Sequence, residues 1–177
     1  MTAQIGDTLA FAGRQFGLAS EPLARWLQRR RNRHLRLRGR TTANTRGYVC
    51  AWEVEDGRLY LKEFNGRLVD GSTMDLAQLF PGQEGPVLAG WFSGALVCPM
   101  GKLLKYEHSG YASVREFDLI LWFIEGRLVE QRLNRNWVRP GDRDPDFDAD
   151  IEEELDLDSD TLAPGGESGT KAPWLSE

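Results

Sequence analysis

Glycine-arginine-leucine recurs three times in the first 130 residues, with a looser fourth copy. The copies are Asp56-Gly57-Arg58-Leu59, Asn65-Gly66-Arg67-Leu68, Glu125-Gly126-Arg127-Leu128 and, more loosely, Ala12-Gly13-Arg14-Gln15. A two-residue hairpin loop of type I′ holds both central residues at positive φ, which suits Asp-Gly and Asn-Gly best and Glu-Gly less well. The spacing between copies is irregular, so the pattern predicts three or four β-hairpins and not a repeat array. A chain punctuated this way must build a sheet.

The flanking segments alternate as strands do. In Tyr48–Glu55, Tyr48, Cys50, Trp52 and Val54 share one face, and Val49, Ala51, Glu53 and Glu55 share the other. In 58–64, Leu59, Leu61 and Glu63 are expected to oppose Tyr60, Lys62 and Phe64. Residues 117–124 are apolar on both faces except for Asp118, which predicts a central strand covered on both sides. Residues 85–99 are apolar but broken by Gly90 and Gly94, which favours two strands, or one bent strand, over a helix. Two helices are expected. The first starts at Ser20 as N-cap, with Glu21 and Pro22 in its first turn and Leu23, Trp26 and Leu27 as its apolar stripe, and ends near Arg31 or Asn32. The second spans 72–80, with Ser72 as cap, Asp75 three residues on, and Pro81-Gly82 as the stop.

Charge divides the chain. Residues 141–177 carry 13 acids against two bases, Arg143 and Lys171, while residues 1–140 hold 14 acids against 20 bases. The acidic stretch bears Gly and Pro, is poorly periodic, and does not bury enough to offset its ordering entropy; it is expected to be a disordered tail after a single globular domain at 1–138. Phe147, Ile151, Leu155, Leu157 and Trp174 stand in it as isolated apolar residues. The basic excess concentrates in residues 25–40, with eight arginines: Arg25, Arg29, Arg30, Arg31, Arg33, Arg36, Arg38 and Arg40. Leu35 and Leu37 alternate with Arg36 and Arg38, so half of the run reads as a helix flank and half as the outer face of a strand. Three roles are open to such a patch: a solvated surface shielded by the tail, a protein-docking face, or a phosphate-binding site.

The cysteines, Cys50 and Cys98, lie in apolar contexts at a spacing that suits neither a disulfide framework nor zinc, and are expected to be buried thiols. No apolar run reaches 18 residues, and the N-terminus shows no basic region followed by an apolar one; a cytoplasmic protein without a membrane span is expected. No phosphate loop, dinucleotide fingerprint, zinc-protease or nucleophile-elbow motif is present, and the Asp-rich stretch lacks the glycine of an EF-hand loop, so neither cofactor nor metal is expected. Tyr106–Asp118 gathers titratable groups, and Glu107, His108 and Asp118 are the candidates for acid–base chemistry there. Against that, Glu107 and His108 are neighbours pointing to opposite faces if the segment is extended, and Ser109-Gly110 is ordinary turn chemistry.

The middle of the chain resembles a group of small bacterial proteins of uncharacterised activity. The residues that carry the resemblance are Arg46, Gly47, Tyr48 and Trp52; Leu79, Phe80 and Pro81; Trp91, Phe92, Ser93 and Gly94; Pro99, Gly101, Leu104, Tyr106, His108, Gly110 and Tyr111; and Glu116, Asp118 and Leu119. It spans roughly 7–133, leaves out the acidic tail and fits the arginine run poorly. It implies a shared fold unit and a bacterial source, but no reaction.

The expectation is therefore a mostly β, α+β domain: an antiparallel sheet of Gly-turn hairpins, one main N-terminal helix and one short helix. Trp52, Trp91, Phe92, Leu119, Leu121 and Phe123 are expected in the core. The function expected is that of a non-catalytic protein-binding module, with toxin neutralisation of the immunity type as its sharpest form. Arg25, Arg29, Arg30, Arg31, Arg33, Arg36, Arg38, Tyr106, His108 and Tyr111 would face the partner. The alternatives are nucleic-acid binding through Arg25–Arg40, with the acidic tail as internal competitor for the basic patch, and a small enzyme built on Tyr106–Asp118.

Overall fold

The computed structural model describes residues 2–29, 32, 34–39 and 41–139. The fold is mostly β. Among the described residues nine strands form one mixed sheet: β1 (Thr8–Phe11), β2 (Arg14–Gly17), β3 (Tyr48–Glu55), β4 (Arg58–Arg67), β5 (Thr73–Met74), β6 (Val87–Leu88), β7 (Gly94–Lys105), β8 (Val114–Ile124) and β9 (Arg127–Arg135). The main path runs β2-β1-β3-β4-β9-β8-β7, with β5 and β6 paired to β4. Tight turns at Ala12-Gly13, Asp56-Gly57 and Glu125-Gly126 join three of the hairpins, and both residues of each turn have positive φ.

The sheet bends into two facing halves. β4 and β9 pair only at their turn ends, Arg58 with Arg127, where Leu59 N donates to Gly126 O and Leu128 N to Gly57 O. Across the molecule, Ala19 N donates to Val97 O, and Val97 N donates to the Ser20 hydroxyl. These contacts tie the end of β2 to the outer edge of β7, so the halves close around a common core. That core holds Leu9, Trp52, Leu59, Leu61, Phe64, Leu96, Cys98, Leu121, Phe123 and Leu128.

Several expectations are corrected here. The sheet is not wholly antiparallel, because β1 runs parallel to β3, with Leu9 opposite Trp52. A parallel pair needs a long crossover, and residues 18–47 supply it. The N-terminal helix is a single turn, α1 (Ala24–Leu27), without a side-chain cap. Beyond it Arg29 N donates to Trp26 O, Asn32 N to Arg29 O and Leu35 N to Asn32 O, a succession of three-residue turns. The buried Asn32 side chain also donates to Trp26 O at 2.7 Å. Ser20 is taken by β7 and so does not cap α1. The second helix, α2 (Leu76–Leu79), begins three residues later than expected. Asp75 is its N-cap, in a reciprocal box with Gln78, while Ser72 bonds to Asp70 in the preceding turn.

Asn65-Gly66 is not a turn at all. Gly66 lies within β4, opposite both Tyr48 and Met74. A Cβ there would stand 2.5 Å from the Phe64 ring, so the missing side chain is what lets that ring lie along the strand. The parity of β4 also differs from simple alternation. Ala51 pairs with Glu63 but Trp52 with Leu61, so Lys62 is an extra residue. This bulge turns Phe64 inward beside Leu59 and Leu61 and sends Glu63 to solvent. β8 is central to its half, but only one face is buried: Leu119, Leu121 and Phe123 point inward, whereas Ile124 on the opposite face is 59% exposed. Trp91 and Phe92 are partly buried against the core, in the bend between β6 and β7. Trp91 stacks on Phe80 at 5.5 Å, and Trp26 meets both rings, so α1, α2 and this bend share one aromatic cluster.

Candidate functional site

The N-terminal segment leads into a buried charged node at Asp7. Gln4 fastens that segment: its side chain donates to Thr42 O and accepts from Thr45, and its backbone N donates to Gly110 O. Asp7, two residues before Leu9, is fully buried. Its Oδ1 accepts from Arg46 Nη2 at 2.6 Å and from Cys50 N at 2.9 Å, and its Oδ2 accepts from Trp52 Nε1 at 2.9 Å. One carboxylate thus binds the crossover to two of the inward residues of β3, Cys50 and Trp52. Burial pushes the Asp7 carboxyl above its ordinary value, against the opposing pull of Arg46, Trp52 and Cys50. Burial also opposes the charge on Arg46, and Asp7, with Tyr111, Tyr48 and Glu21, more than offsets it.

Arg46 extends the network outward. Its guanidinium lies 4.7 Å from the Tyr48 ring centre, and its Nη1 is 3.8 Å from Glu21 Oε1. The Tyr111 hydroxyl donates to the same Glu21 oxygen at 3.1 Å. Burial raises the Tyr111 phenol to about 12, Glu21 adding to the shift and Arg46 opposing it. The Tyr48 hydroxyl is buried without a hydrogen-bond partner, and its phenol is raised, chiefly by burial. Gly47, between Arg46 and Tyr48, has φ of 78°, and a Cβ on it would stand 2.5 Å from the Arg38 backbone. Only glycine combines that conformation with so close an approach. Arg46, Gly47, Tyr48, Trp52 and Tyr111, scattered along the resemblance, therefore meet in one place.

The node also joins the two groups expected to face a partner. Tyr111 holds the 106–113 loop to Glu21, three residues before α1. Arg25, on α1, and Arg29, just after it, are exposed. Arg36 and Arg38 are exposed too, while Leu35 and Leu37 pack on the core between them. Their backbone is fixed, since Arg38 N donates to Arg67 O and Val69 N to Arg36 O. Arg30, Arg31, Arg33, Arg40 and the acidic tail lie outside the described residues.

Asp118 stands apart from Glu107 and His108, the other acid–base candidates of Tyr106–Asp118. Glu107 pairs with Lys105 at 2.7 Å, and that lysine lowers its pKa. His108 is exposed, and its ring meets Tyr106 edge-on at 4.5 Å. Asp118 sits within β8, accepting from the Asn136 side chain at 2.8 Å. Four residues separate it from Val114, where the hairpin opens into the loop, so roughly 13 Å of strand lies between it and the His108 loop. An open depression of about 450 Å³ is lined by Leu104, Glu116, Arg135, Asn136 and Trp137, the same Asn136 that bonds Asp118.

Among the described residues no group of three or more His, Cys, Asp or Glu side chains could hold a metal ion, and no helix is long and apolar enough to cross a membrane. Cys50 and Cys98 are free and buried, and burial pushes the Cys98 thiol up to about 12. Thiols so shifted are poor nucleophiles.

Asp7, Glu21 and Arg46 are the functional candidates that patterning misses. Arg46 stands in the resemblance motif, but its buried partner is visible only once β1 is laid beside β3. No family model, curated protein or solved structure matches the chain.

Proposed function

We propose that the protein is a non-catalytic, protein-binding module of the bacterial cytoplasm that docks a basic face on an acidic partner surface. The observation that carries this reading is the Tyr111–Glu21 hydrogen bond with Arg46 beside it. It fixes the Tyr106–Tyr111 loop to the segment that projects Arg25 and Arg29, so loop and arginines act as one composite face. Such a face needs rigidity more than chemistry. Anchored arginines steer an acidic partner and fix its orientation, and Tyr and Arg are the side chains that interfaces favour. Blocking the active site of a toxin is the sharpest form of this activity, because a rigid charged face suffices for it. Arg30, Arg31, Arg33 and His108 belong to the same proposed face.

The test is a nuclease-treated capture from native bacterial lysate, with wild-type protein and an Arg25→Glu/Arg29→Glu/Arg36→Glu/Arg38→Glu variant. A stoichiometric protein partner retained by the wild type and lost by the variant is the expected result. Nucleic acid bound in place of protein, weakening steeply with salt, would overturn the reading in favour of phosphate recognition.

A further inference from the structure

The half-sheet β9-β8-β7 buries one face in the core and carries a strip of apolar side chains on the other. Ile120, Trp122 and Ile124 alternate along β8 on that outer side. Val97 lies opposite Ile120 and Ala95 opposite Trp122, so five apolar side chains adjoin. Ile124 is 59% exposed, and the other four are covered only in part. Charged side chains border them on β9: Arg127 opposite Ile124, Glu130 opposite Trp122, and Arg132 opposite Ile120, against the Trp122 ring and 3.5 Å from Glu130. A contiguous apolar patch with a charged border marks a docking surface.

We propose that residues 147–155 of this same chain seat on that face. Three observations select this occupant. Asn136 is bonded to Arg115 O and Asp118 at one end of the face, so the chain leaves β9 beside it. Eight residues separate Arg139 from Phe147, a reach of at most about 28 Å, whereas Asp118 to Trp122 is about 13 Å of strand. Phe147, Ile151 and Leu155 recur at intervals of four, which spaces three apolar side chains through the segment. The residues between and around them are mostly Asp and Glu, opposite in sign to Arg127 and to Arg132, the latter also paired with Glu130. Tethering adds an effective concentration in the mM range, so modest contacts suffice. This seat is separate from the face under Proposed function and stands or falls independently of it.

The test places a nitroxide at residue 149, by Ala149→Cys, in ¹⁵N-labelled full-length protein; Cys50 and Cys98 are buried and stay unlabelled. The expected result is loss of the amide signals of Val97, Ile120, Trp122 and Ile124, persisting at high salt. Recovery of those signals is expected on adding Phe147→Ser/Ile151→Ser/Leu155→Ser, or Ile124→Glu, whose site is exposed enough to leave the fold intact. Retention of every signal would overturn the proposal. So would losses confined to residues 25–38, which would mean a contact held by charge alone. Equal losses when spin-labelled unenriched chain is mixed with ¹⁵N chain lacking the label would overturn it in favour of a second copy.

Discussion

Replacing Asp7 by alanine tests whether the buried carboxylate organises the fold. Asp7→Ala leaves the Arg46 guanidinium, the Trp52 indole N–H and the Cys50 amide without their shared acceptor. Breaking a buried ion pair by removing one partner costs about 3–5 kcal/mol. Each neutral donor left unsatisfied adds about 1–3 kcal/mol, though contributions within one network are not additive. A loss of about 4 kcal/mol is the working figure, a large part of the ~5–15 kcal/mol that stabilises an ordinary domain. Urea unfolding followed by tryptophan fluorescence and far-ultraviolet circular dichroism reads it directly. At a slope of about 2 kcal/mol per M, the midpoint falls by about 2 M. The double variant Asp7→Ala/Arg46→Met should be more stable than the sum of the single losses implies, because it no longer buries an uncompensated charge. A midpoint shift below about 0.5 M, or a coupling energy near zero, would refute the argument: the carboxylate would then be incidental to the β1–β3 pairing.

Gly66→Ala forces a Cβ against the Phe64 ring and should cost about 1–3 kcal/mol by overpacking; thermal unfolding measures it, and an unchanged midpoint would mean the ring is free to move. The tyrosine phenols provide a pH test. Tyr111 is raised to about 12, so the stability tied to its neutral form is complete below pH 10 and disappears as pH rises through about 12. Phenolate absorbance should show a late step that Tyr111→Phe removes; ionisation of all four tyrosines together near pH 10 would contradict it. His108→Ala changes an exposed ring and should alter stability by less than about 0.5 kcal/mol, so any loss of partner capture in that variant reports on the interface. The four-arginine reversal described above should likewise leave the far-ultraviolet spectrum unchanged, since those side chains point to solvent.

Local features stood plainly in the sequence. Asp56-Gly57 and Glu125-Gly126 prefer a turn on their own account, and the alternation of Tyr48, Cys50 and Trp52 marks an inward face from short-range spacing alone. Asn65-Gly66 has the same local preference yet lies inside a strand. There the partners on both sides of β4, Tyr48 and Met74, outweigh the turn, and the Phe64 ring needs the glycine for room. The bulge at Lys62 was hidden for a related reason: an extra residue is defined by the register of the opposite strand.

The candidate site was legible in pieces. Arg46, Tyr48 and Tyr111 belong to recognisable motifs, and the exposed arginines follow from their alternation with Leu35 and Leu37. What the residues alone determined is a turn-rich β body with a basic excess and an apolar core, followed by an acidic C-terminal segment. Only the tertiary structure decided that β1 lies parallel to β3, and with it that Asp7 reaches Arg46, Cys50 and Trp52. Hydrophobic spacing acts over a few residues, whereas these partners lie 39 to 45 positions apart. Nothing in the local chain favours that closure; burial of the shared core and satisfaction of the buried donors do.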